Sequence, residues 1–273
     1  MFTEVRAPIF IVGCPRSGTS VFYEKLACHP DLAWISTATK RAPASPLLTR
    51  LLMLVRKDMR PTEAKGVWDR FCRGDDHALG RGDATPRARR YFQRVMRTHL
   101  AIFRKSRFLS KCPRNTVRIE FLDALFPDAF FIHIVRDGRA VAWSILRSRQ
   151  KEQGAYWGAK PPGWRAVLGL PLLEAAALQW KLITEHALAA AATLPPERYI
   201  ELRYEDFTAR PAEVLRETAA RCGLAWPDPA ALEALVSNVE NRNFKWREAL
   251  QPPEVERLHA LIGPLLTRLG YAL

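Results

Sequence analysis

The order of apolar and polar residues predicts an alternation of strands and helices along most of the chain. The short apolar run at 8–13, PIFIVG, ends in glycine, and apolar positions then recur at helical spacing from Thr19 to His29. The same succession recurs farther along. Further strands are predicted within HPDLAWIS (29–36), RFLS (107–110), AFFIHIV (129–135) and RYIEL (198–202).

Helices are predicted where apolar residues recur every three or four positions. Asp137, for example, is expected to cap one of them. Residues 60–84 are polar and predict an irregular excursion, whereas 150–170, rich in Gly, Pro and Trp, predict a surface loop or lid. The predicted helices lie within 45–56, 85–103, 115–126, 137–149, 170–194, 211–224 and 254–270.

This alternation indicates an α/β fold, in which a central, mostly parallel sheet is covered by helices on both faces. The chain has 273 residues, enough for one large domain or two small ones. It contains no internal repeat and no low-complexity linker. We therefore predict a single domain over residues 1–273.

The charge balance indicates an anionic partner. Lys and Arg number 42 against 28 Asp and Glu, a net charge of +14. Such a field favours nucleotides, sulfated or phosphorylated substrates, nucleic acid or an acidic membrane surface. Its sign alone does not choose among them.

Cysteine and histidine usage indicates neither a disulfide framework nor a metal centre. The five cysteines include no C-x-x-C pair, and the six histidines show no ligand spacing, so we predict no metal. The first strand begins within a few residues of the N-terminus, which leaves no room for a signal peptide, and no apolar run approaches the ~18 residues that span a bilayer. We expect a cytoplasmic protein whose basic surface can still contact a membrane.

The first candidate ligand-binding segment is GCPRSGTS (13–20), which resembles a phosphate-binding loop. Its glycines fit the pattern G-x-x-x-x-G-K-[ST], but Thr19 occupies the lysine position. Gly13 permits a tight turn and Gly18 a close backbone approach, so the loop N–H groups can surround an anion. Arg16 adds charge. Hydroxyl donors follow at Ser17, Thr19 and Ser20. The alternative is an ordinary strand–helix turn, but the combination favours phosphate binding.

The second such segment is FFIHIVRDGRAVAWS (130–144). Asp137 could carry magnesium at the end of a strand or cap the next helix, and its neighbours Arg136 and Arg139 favour a phosphate site over magnesium. Ser144 lies two helical turns beyond Asp137, so Arg136 and Ser144 can flank one anionic group. Taken singly, Arg136 could instead form a surface ion pair, and Ser144 could be a packed helix serine.

GCPRSGTS and RDGRAVAWS together resemble the two signature segments of sulfotransferases that use 3′-phosphoadenosine 5′-phosphosulfate (PAPS). The segments SKCPRNTVRIEFLDALFPDAFFIHIVRDGRA, YIELRYEDFTARPAEVLRETAARCGL and FKWREALQPPEVERLHALIGPLLTRLGY resemble bacterial and protein-tyrosine sulfotransferases in the same order. Only about 31–106 and 150–195 match poorly. The resemblance implies a P-loop-like three-layer fold and transfer of a sulfuryl group from PAPS to an acceptor hydroxyl, without a metal.

The resemblance also implies roles for individual residues. Arg16, Ser17, Gly18, Thr19 and Ser20 would hold the 5′-phosphosulfate. Outside this loop, Arg136 and Ser144 would bind the 3′-phosphate, and Lys111 would contact the bridging oxygen of the leaving phosphate. Tyr204 and Lys245 would contact the cofactor at other positions. A packed aromatic is the alternative for Tyr204, and a surface lysine for Lys111. Trp246 is more typical of a core residue than of an adenine stack.

The sequence differs from the related families at the positions where they carry the catalytic base. Pro113 stands where cytosolic sulfotransferases place a histidine, Ser110 where heparan-type enzymes place a glutamate, and the run ISTATK (35–40) lacks the glutamate of tyrosylprotein sulfotransferases. We predict Asp83 as the base, because similar enzymes carry an acidic residue before T-P there. An ordinary capping aspartate is the alternative, and His99 is a weaker candidate.

The acceptor is left open as a glycan, a lipid, a peptide tyrosine or a small molecule. Arg90, Arg94 and Arg97 share one helical face, which is either a solvated surface or a recognition surface for an anionic acceptor. The rival functions are a P-loop kinase-like enzyme with a displaced lysine, a nucleic-acid-binding protein and a non-catalytic sulfotransferase-like binder. No known nucleic-acid-binding module is recognisable, so we expect no nucleic-acid partner.

Overall fold

The computed structural model describes residues 5–55, 58–151 and 158–273. Its centre is a sheet whose five strands run in the order β2-β3-β1-β4-β5, and every pair of neighbours is parallel. The predicted α/β fold is confirmed. The strands are β1 Ile9–Val12, β2 Leu32–Ala33, β3 Arg107–Lys111, β4 Phe130–Val135 and β5 Tyr199–Arg203.

The strand register brings four strand ends to one edge of the sheet. Ile11 of β1 pairs with Lys111 on one side and Ile132 on the other, and Val135 of β4 pairs with Arg203. Because parallel strands end on the same side, the segments that follow β1, β3, β4 and β5 meet there. This carboxyl edge is where ligands of open α/β sheets bind.

Helices cover both faces of the sheet. The described helices are α1 Thr19–Leu26, α2 Pro46–Val55, α3 Lys65–Trp68, α4 Pro86–Phe103, α5 Ile119–Leu125, α6 Gly138–Lys151, α7 Leu172–Ala191, α8 Tyr204–Ala209, α9 Pro211–Arg221, α10 Pro229–Val236, α11 Lys245–Ala249 and α12 Pro252–Arg268. On the described residues, none of these helices is long and apolar enough to cross a membrane.

The strand side chains alternate between two apolar layers, as expected of a sheet buried on both faces. Phe10 and Phe108 belong to a core that includes residues of α4 and α5. Ile11 and Leu109 belong to the opposite core, with α1 and α9. A third cluster, formed by α6, α7 and α12, surrounds Trp180. The sheet edge is thus fixed from both sides.

Two predicted segments differ in the structure. The helix expected from residue 115 begins at Ile119, because 113–117 form a 3₁₀ turn in which the Thr116 hydroxyl bonds to the backbone of Gly13. Residues 60–84 are less irregular than expected, since α3 buries Trp68, which stacks on Phe92 at 5.2 Å between ring centroids. The lid predicted at 150–170 lies partly outside the described residues.

Candidate active site

The loop after β1 is held by contacts that only glycine permits at residue 13. Gly13 has φ 149°, and a Cβ there would lie 2.6 Å from the carbonyl oxygen of Ile134. Its N–H donates to Thr116 Oγ1 at 2.8 Å, and the same hydroxyl donates to its carbonyl at 2.9 Å. The loop is therefore attached to β4 and to the turn after β3.

Gly18 ends the loop and begins α1. It has φ 89°, and a Cβ there would lie 2.3 Å from Cδ2 of Tyr204. Tyr204 is buried beneath the loop, where its hydroxyl donates to the carbonyl of Glu240 at 3.2 Å. The first turn of α1 contains no acidic residue, so its positive end is not neutralised by a carboxylate of that turn. A loop with this backbone favours an anion.

The side chain of Ser17 shows whether an anion fits this loop. Its hydroxyl oxygen is buried and, among the described residues, has no hydrogen-bond partner. A buried polar group left in this state costs about 1–3 kcal/mol. The adjacent Arg16 adopts a left-handed backbone with φ 73°, which is uncommon outside glycine. An anion in the loop would give the Ser17 hydroxyl a partner, so the residues present fit a phosphate or sulfate group.

Arg136 ties the end of β4 to this loop. Its guanidinium donates to the carbonyls of Arg16 at 3.0 Å and Arg242 at 2.9 Å, and to Asn243 Oδ1 at 3.0 Å. It also lies over the Tyr204 ring at 4.3 Å from the centroid. Burial lowers the pKa of Arg136 from its ordinary value, Arg16 adds to this shift, and the nearby acidic groups oppose it. Two further N–H groups of this side chain are left for a ligand.

A cationic cavity of about 250 Å³ opens beside Arg136. Ser144 lines it, and its hydroxyl accepts a hydrogen bond from Arg16 Nε at 3.0 Å, which joins the two signature segments directly. Lys245 lines the same cavity. Within the described part of the chain its lining contains no carboxylate, and its cations are Arg16, Arg136, Arg147, Lys151, Arg242 and Lys245. We conclude that it suits a multiply charged anion.

Lys111 ends β3 on the other side of the loop. Its Nζ donates to Ser20 Oγ at 2.8 Å and to Glu63 Oε1 at 2.6 Å, with only 3% of its side chain exposed. Its ammonium has three N–H groups, so these bonds leave one unused. The Ser20 contact places Nζ beside the loop. Lys111 is thus buried, oriented and still able to donate.

Glu63, the partner of Lys111, is a candidate site residue that no sequence motif indicated. It lies between the bridge pairing Ser36 with Pro61 and helix α3, and it also pairs with Lys65 at 3.1 Å. Burial raises the pKa of its carboxyl, but Lys111 and Lys65 lower it more, so the net pKa lies below its ordinary value. Glu63 is therefore a carboxylate at neutral pH. It belongs to no motif, and its position depends on the tertiary fold.

A second cavity, of about 590 Å³, lies at Glu63. Lys40, Arg41 and Lys65 also line it. Arg16 of the loop lines the first cavity, and Ser20 of the loop is connected to Glu63 of the second cavity through Lys111. Lys111 and Glu63 therefore link the loop to the second cavity.

The two residues proposed as a base from the sequence, Asp83 and His99, make other contacts. Asp83 is exposed, and its Oδ2 accepts the N–H of Gly80 at 2.9 Å in a 3₁₀ turn against α5. His99 is buried, where its ring contacts Thr39 Oγ1 at 2.9 Å, and burial lowers its pKa to about 4. No described contact links either residue to Lys111. A role for Asp83 in catalysis stays a prediction.

Asp137 is engaged as a cap and an ion-pair partner. Its Oδ1 accepts the N–H of Arg139 at 2.9 Å at the start of α6, and its Oδ2 pairs with the Arg139 guanidinium at 2.9 Å. The predicted helix cap is confirmed. Arg139 in turn lies over Trp246 at 4.7 Å from the ring centroid. Trp246 is buried in the third cluster and also lines the cationic cavity.

The basic face of α4 is only partly solvated. Arg90 and Arg94 are exposed, whereas Arg97 is half-buried. The neighbouring Arg89 donates to the carbonyls of Ala124 and Leu125 at 2.7 Å and so serves the structure. None of these arginines lines either cavity described above.

Comparisons with known proteins agree on one family. The model of the Sulfotransferase family matches residues 8–228. Among curated proteins, the nodulation protein NoeE of Sinorhizobium fredii is 27% identical over 298 residues, and the alignment covers 96% of this chain and 65% of that protein. Protein-tyrosine sulfotransferase A of Caenorhabditis elegans is 22% identical over 283 residues, covering 96% and 67%.

The chain is shorter than the relatives it matches. It spans 65% of NoeE and 26% of an uncharacterized protein of Aquifex aeolicus, to which it is 25% identical over 225 residues that cover 82% of this chain. What those longer proteins do as wholes is therefore not transferred to it.

Solved structures show the same fold. Sulfotransferase STF9 of Mycobacterium avium superposes with a TM-score of 0.69 at 17% identity, covering 99% of this chain and 79% of that one. The sulfotransferase domain from the curacin biosynthetic pathway gives 0.61 at 15% identity, covering 99% and 100%. Since the family model extends from the first strand to the residue before α10, the chain belongs to the sulfotransferase family.

Proposed function

We propose that the chain transfers a sulfuryl group from PAPS to a hydroxyl group of an acceptor. The observation that carries this proposal is the position of Lys111, between Ser20 of the anion-binding loop and Glu63 of the second cavity. A sulfuryl transfer needs an anion site for the donor, a cation at the leaving oxygen and a base at the acceptor. The loop, Lys111 and Glu63, which would supply these three, are connected by direct contacts at the carboxyl edge of the sheet.

The donor's 5′-phosphosulfate is proposed to bind in the loop 13–20. The unpartnered Ser17 hydroxyl, the N–H groups at the start of α1, and the side chains of Arg16, Thr19 and Ser20 would supply donors. A sulfuryl group carries less charge than a γ-phosphoryl group bridged by magnesium. Thr19 in place of a lysine is consistent with that lower charge.

The donor's 3′-phosphate is proposed to bind in the cationic cavity. Arg136 and Ser144 line it together with Lys245. The bond from Arg16 to Ser144 joins this cavity to the loop, so one molecule with a 5′ and a 3′ anionic group can reach both. Tyr204 contributes from below, where it supports Gly18 and Arg136.

Lys111 is proposed to stabilise the leaving oxygen. As the S–O bond to the phosphate breaks, negative charge develops on that oxygen, and the unused N–H of a buried, oriented ammonium stabilises it. The contacts with Ser20 and Glu63 hold the side chain in place before the reaction, so no reorientation of water is needed.

Glu63 is proposed as the base, in preference to Asp83. Its carboxylate is ionised, contacts Lys111 and lines the second cavity, whose described lining shares no residue with that of the cationic cavity. The acceptor's O–H proton would pass to the Glu63 carboxylate as the acceptor oxygen forms its bond to sulfur and the sulfur–oxygen bond of the donor breaks. The base and the leaving-group cation are then in contact, which couples the two ends of the reaction.

The rival functions have weaker support. In a P-loop kinase-like enzyme a lysine and an ionised Asp would serve the nucleotide, but Thr19 occupies the lysine position and Asp137 is occupied by Arg139. A non-catalytic binder would have no need of a Lys111–Glu63 pair beside an open cavity. We also propose a cytoplasmic location, since all five cysteines lie in the described residues as free thiols, three of them buried.

Turnover tests this function. The chain would be incubated with PAPS and a panel of hydroxyl acceptors, and mass spectrometry would follow acceptors that gain one sulfate together with release of 3′-phosphoadenosine 5′-phosphate (PAP). We expect Lys111→Met to lower turnover by about 10²–10³-fold, whereas Lys181→Met, on the surface of α7, leaves it unchanged. Equal turnover by Lys111→Met and the wild type would overturn the assignment.

A further inference from the structure

Helix α2 turns its apolar residues towards solvent. Leu47, Leu51 and Leu54 are 77%, 55% and 83% exposed, and Leu48 and Val55 are exposed as well. The fully buried side chain of this helix is Thr49. A surface helix of a globular protein ordinarily buries such a stripe.

The exposed leucines form one continuous face. At about 100° per residue, Leu47, Leu51 and Leu54 fall within an arc of about 60°, and Leu48 and Val55 widen it to about 120°. Monomeric soluble proteins rarely expose contiguous apolar surface of this kind, and where they do it marks an interaction site. We therefore expect a binding partner to cover this face.

The charge around α2 favours an anionic occupant. Residues 40–60 contain six cationic side chains and one carboxylate, Asp58, which is paired with Arg60. Arg50 is exposed on α2 itself, and Lys40 and Arg41 are exposed on the turn against which α2 packs. A second copy of the chain, with a net charge of +14, would bring like charge to this surface. A lipid surface with anionic headgroups matches both the leucines and the cations.

Helix α2 is attached to the cavity at Glu63. The hydroxyl of Thr49 donates to the carbonyl of Ala42 at 2.7 Å, and the N–H of Ala42 closes the turn Thr39–Arg41 on the carbonyl of Thr39. Lys40 and Arg41 of that turn line the cavity. A surface that held α2 would therefore lie close to the acceptor side of the site.

We propose that α2 docks the protein on an anionic lipid surface, and that the acceptor hydroxyl belongs to an amphiphile carried in that surface. The docking stands on the exposed face and its charge, whereas the identity of the acceptor rests on the proposed sulfuryl transfer. The leucines enter the boundary between headgroups and acyl chains, and the cations contact the headgroups. The helix lies on the surface rather than crossing it, since ten residues are too few to span a bilayer.

Vesicle sedimentation tests the docking. Full-length protein would be mixed with vesicles of phosphatidylcholine alone, or of equal parts phosphatidylcholine and phosphatidylglycerol. We expect binding to the mixed vesicles that weakens with added salt and falls at least about tenfold when Leu47→Gln, Leu51→Gln and Leu54→Gln are combined. The control Leu168→Gln, at another exposed leucine, should bind like the wild type.

Three results would overturn the docking: equal binding to neutral vesicles, unchanged binding by the triple variant, or a wild-type dimer in light scattering that the triple variant dissociates. Calorimetry with PAP on the same proteins separates this proposal from the sulfotransferase function. The triple variant should bind PAP like the wild type. A wild type that binds mixed vesicles but not PAP would refute the sulfuryl transfer and leave the docking intact. A wild type that binds PAP but not the mixed vesicles would refute the docking and leave the sulfuryl transfer intact.

Discussion

The Nζ of Lys111 lies 2.6 Å from Oε1 of Glu63, although 48 residues separate the two in sequence. Lys111 comes from the end of a central strand, and Glu63 from a segment that returns to the sheet through the pairing of Ser36 with Pro61. A buried cation and a largely buried carboxylate in direct contact orient each other. We interpret this pair as the centre of the reaction that we propose.

The first prediction concerns the identity of the base. Glu63→Gln should lower kcat by about 10²–10⁴-fold, because the amide cannot accept the acceptor's proton. The affinity for PAP should change little, since Glu63 lies outside the cationic cavity. Asp83→Asn is the matched comparison and should keep kcat, because Asp83 caps a turn and contacts neither cavity. A large loss in Asp83→Asn together with an active Glu63→Gln would restore Asp83 as the base.

A second prediction concerns the pH dependence of stability. The folded protein holds the pKa of Glu63 below its ordinary value of 4.5, so the carboxylate stabilises the fold above that pH and the contribution is lost as the pH falls through the folded pKa. Glu63→Gln should therefore be less stable than the wild type at neutral pH, because Lys111 loses its charged partner. Urea unfolding should show this difference shrinking below pH 4.5. A difference that grew on acidification would contradict the pairing.

The Ser17 hydroxyl gives a third prediction, in which stability and binding change in opposite directions. Ser17→Ala removes a buried oxygen that has no partner in the described part of the chain. Without ligand, the free energy of unfolding should stay equal or rise by up to about 1 kcal/mol. The affinity for PAP should fall, because the loop loses a donor to the anion. Thermal unfolding with and without PAP measures both, and a variant that is less stable without ligand yet binds normally would show that Ser17 has a structural role only.

Gly18 supplies the fourth prediction. Gly18→Ala would place a methyl group against the Tyr204 ring and strain a backbone with φ 89°, so we expect a loss of about 1–3 kcal/mol in stability and of PAP binding. Gly66→Ala is the matched control, since Gly66 lies in a helix and its added Cβ would meet no atom of the described residues within 4 Å. That variant should be neutral or more stable by about 0.5–1 kcal/mol. Equal unfolding midpoints for the two variants would contradict the packing described for the loop.

The cofactor side of the site could be predicted from sequence because it depends on local geometry. Gly13 and Gly18 bound the strand–loop–helix segment of β1, and Arg136 and Ser144 follow β4, which pairs in parallel with β1, so the two segments meet. The structure places Arg16, Arg136, Ser144 and Lys245 around one cavity. Their binding of a cofactor stays a prediction, which titration with PAP tests.

The acceptor side could not be predicted, because it is assembled by long-range contacts. Glu63 reaches Lys111 only because Val67 and Trp68 anchor α3 in the core and residue 61 pairs with residue 36. No spacing along the chain reports such a contact. The sequence likewise predicted a helix at α2 from its leucines. It could not show that most of them face solvent, since the period of a pattern does not reveal which side the core occupies.

A calorimetric titration of the full chain with PAP, adenosine 5′-monophosphate and ATP with magnesium tests directly whether the chain binds the PAPS nucleotide. PAP should bind at least about 100-fold more tightly than adenosine 5′-monophosphate, a difference of about 2.7 kcal/mol contributed by the 3′-phosphate. Arg136→Ala should abolish that preference, and Arg94→Ala, exposed on α4, should retain it. Binding of ATP with magnesium as tight as that of PAP, with Arg136→Ala unchanged, would contradict the assignment of this chain as a PAPS-dependent sulfotransferase.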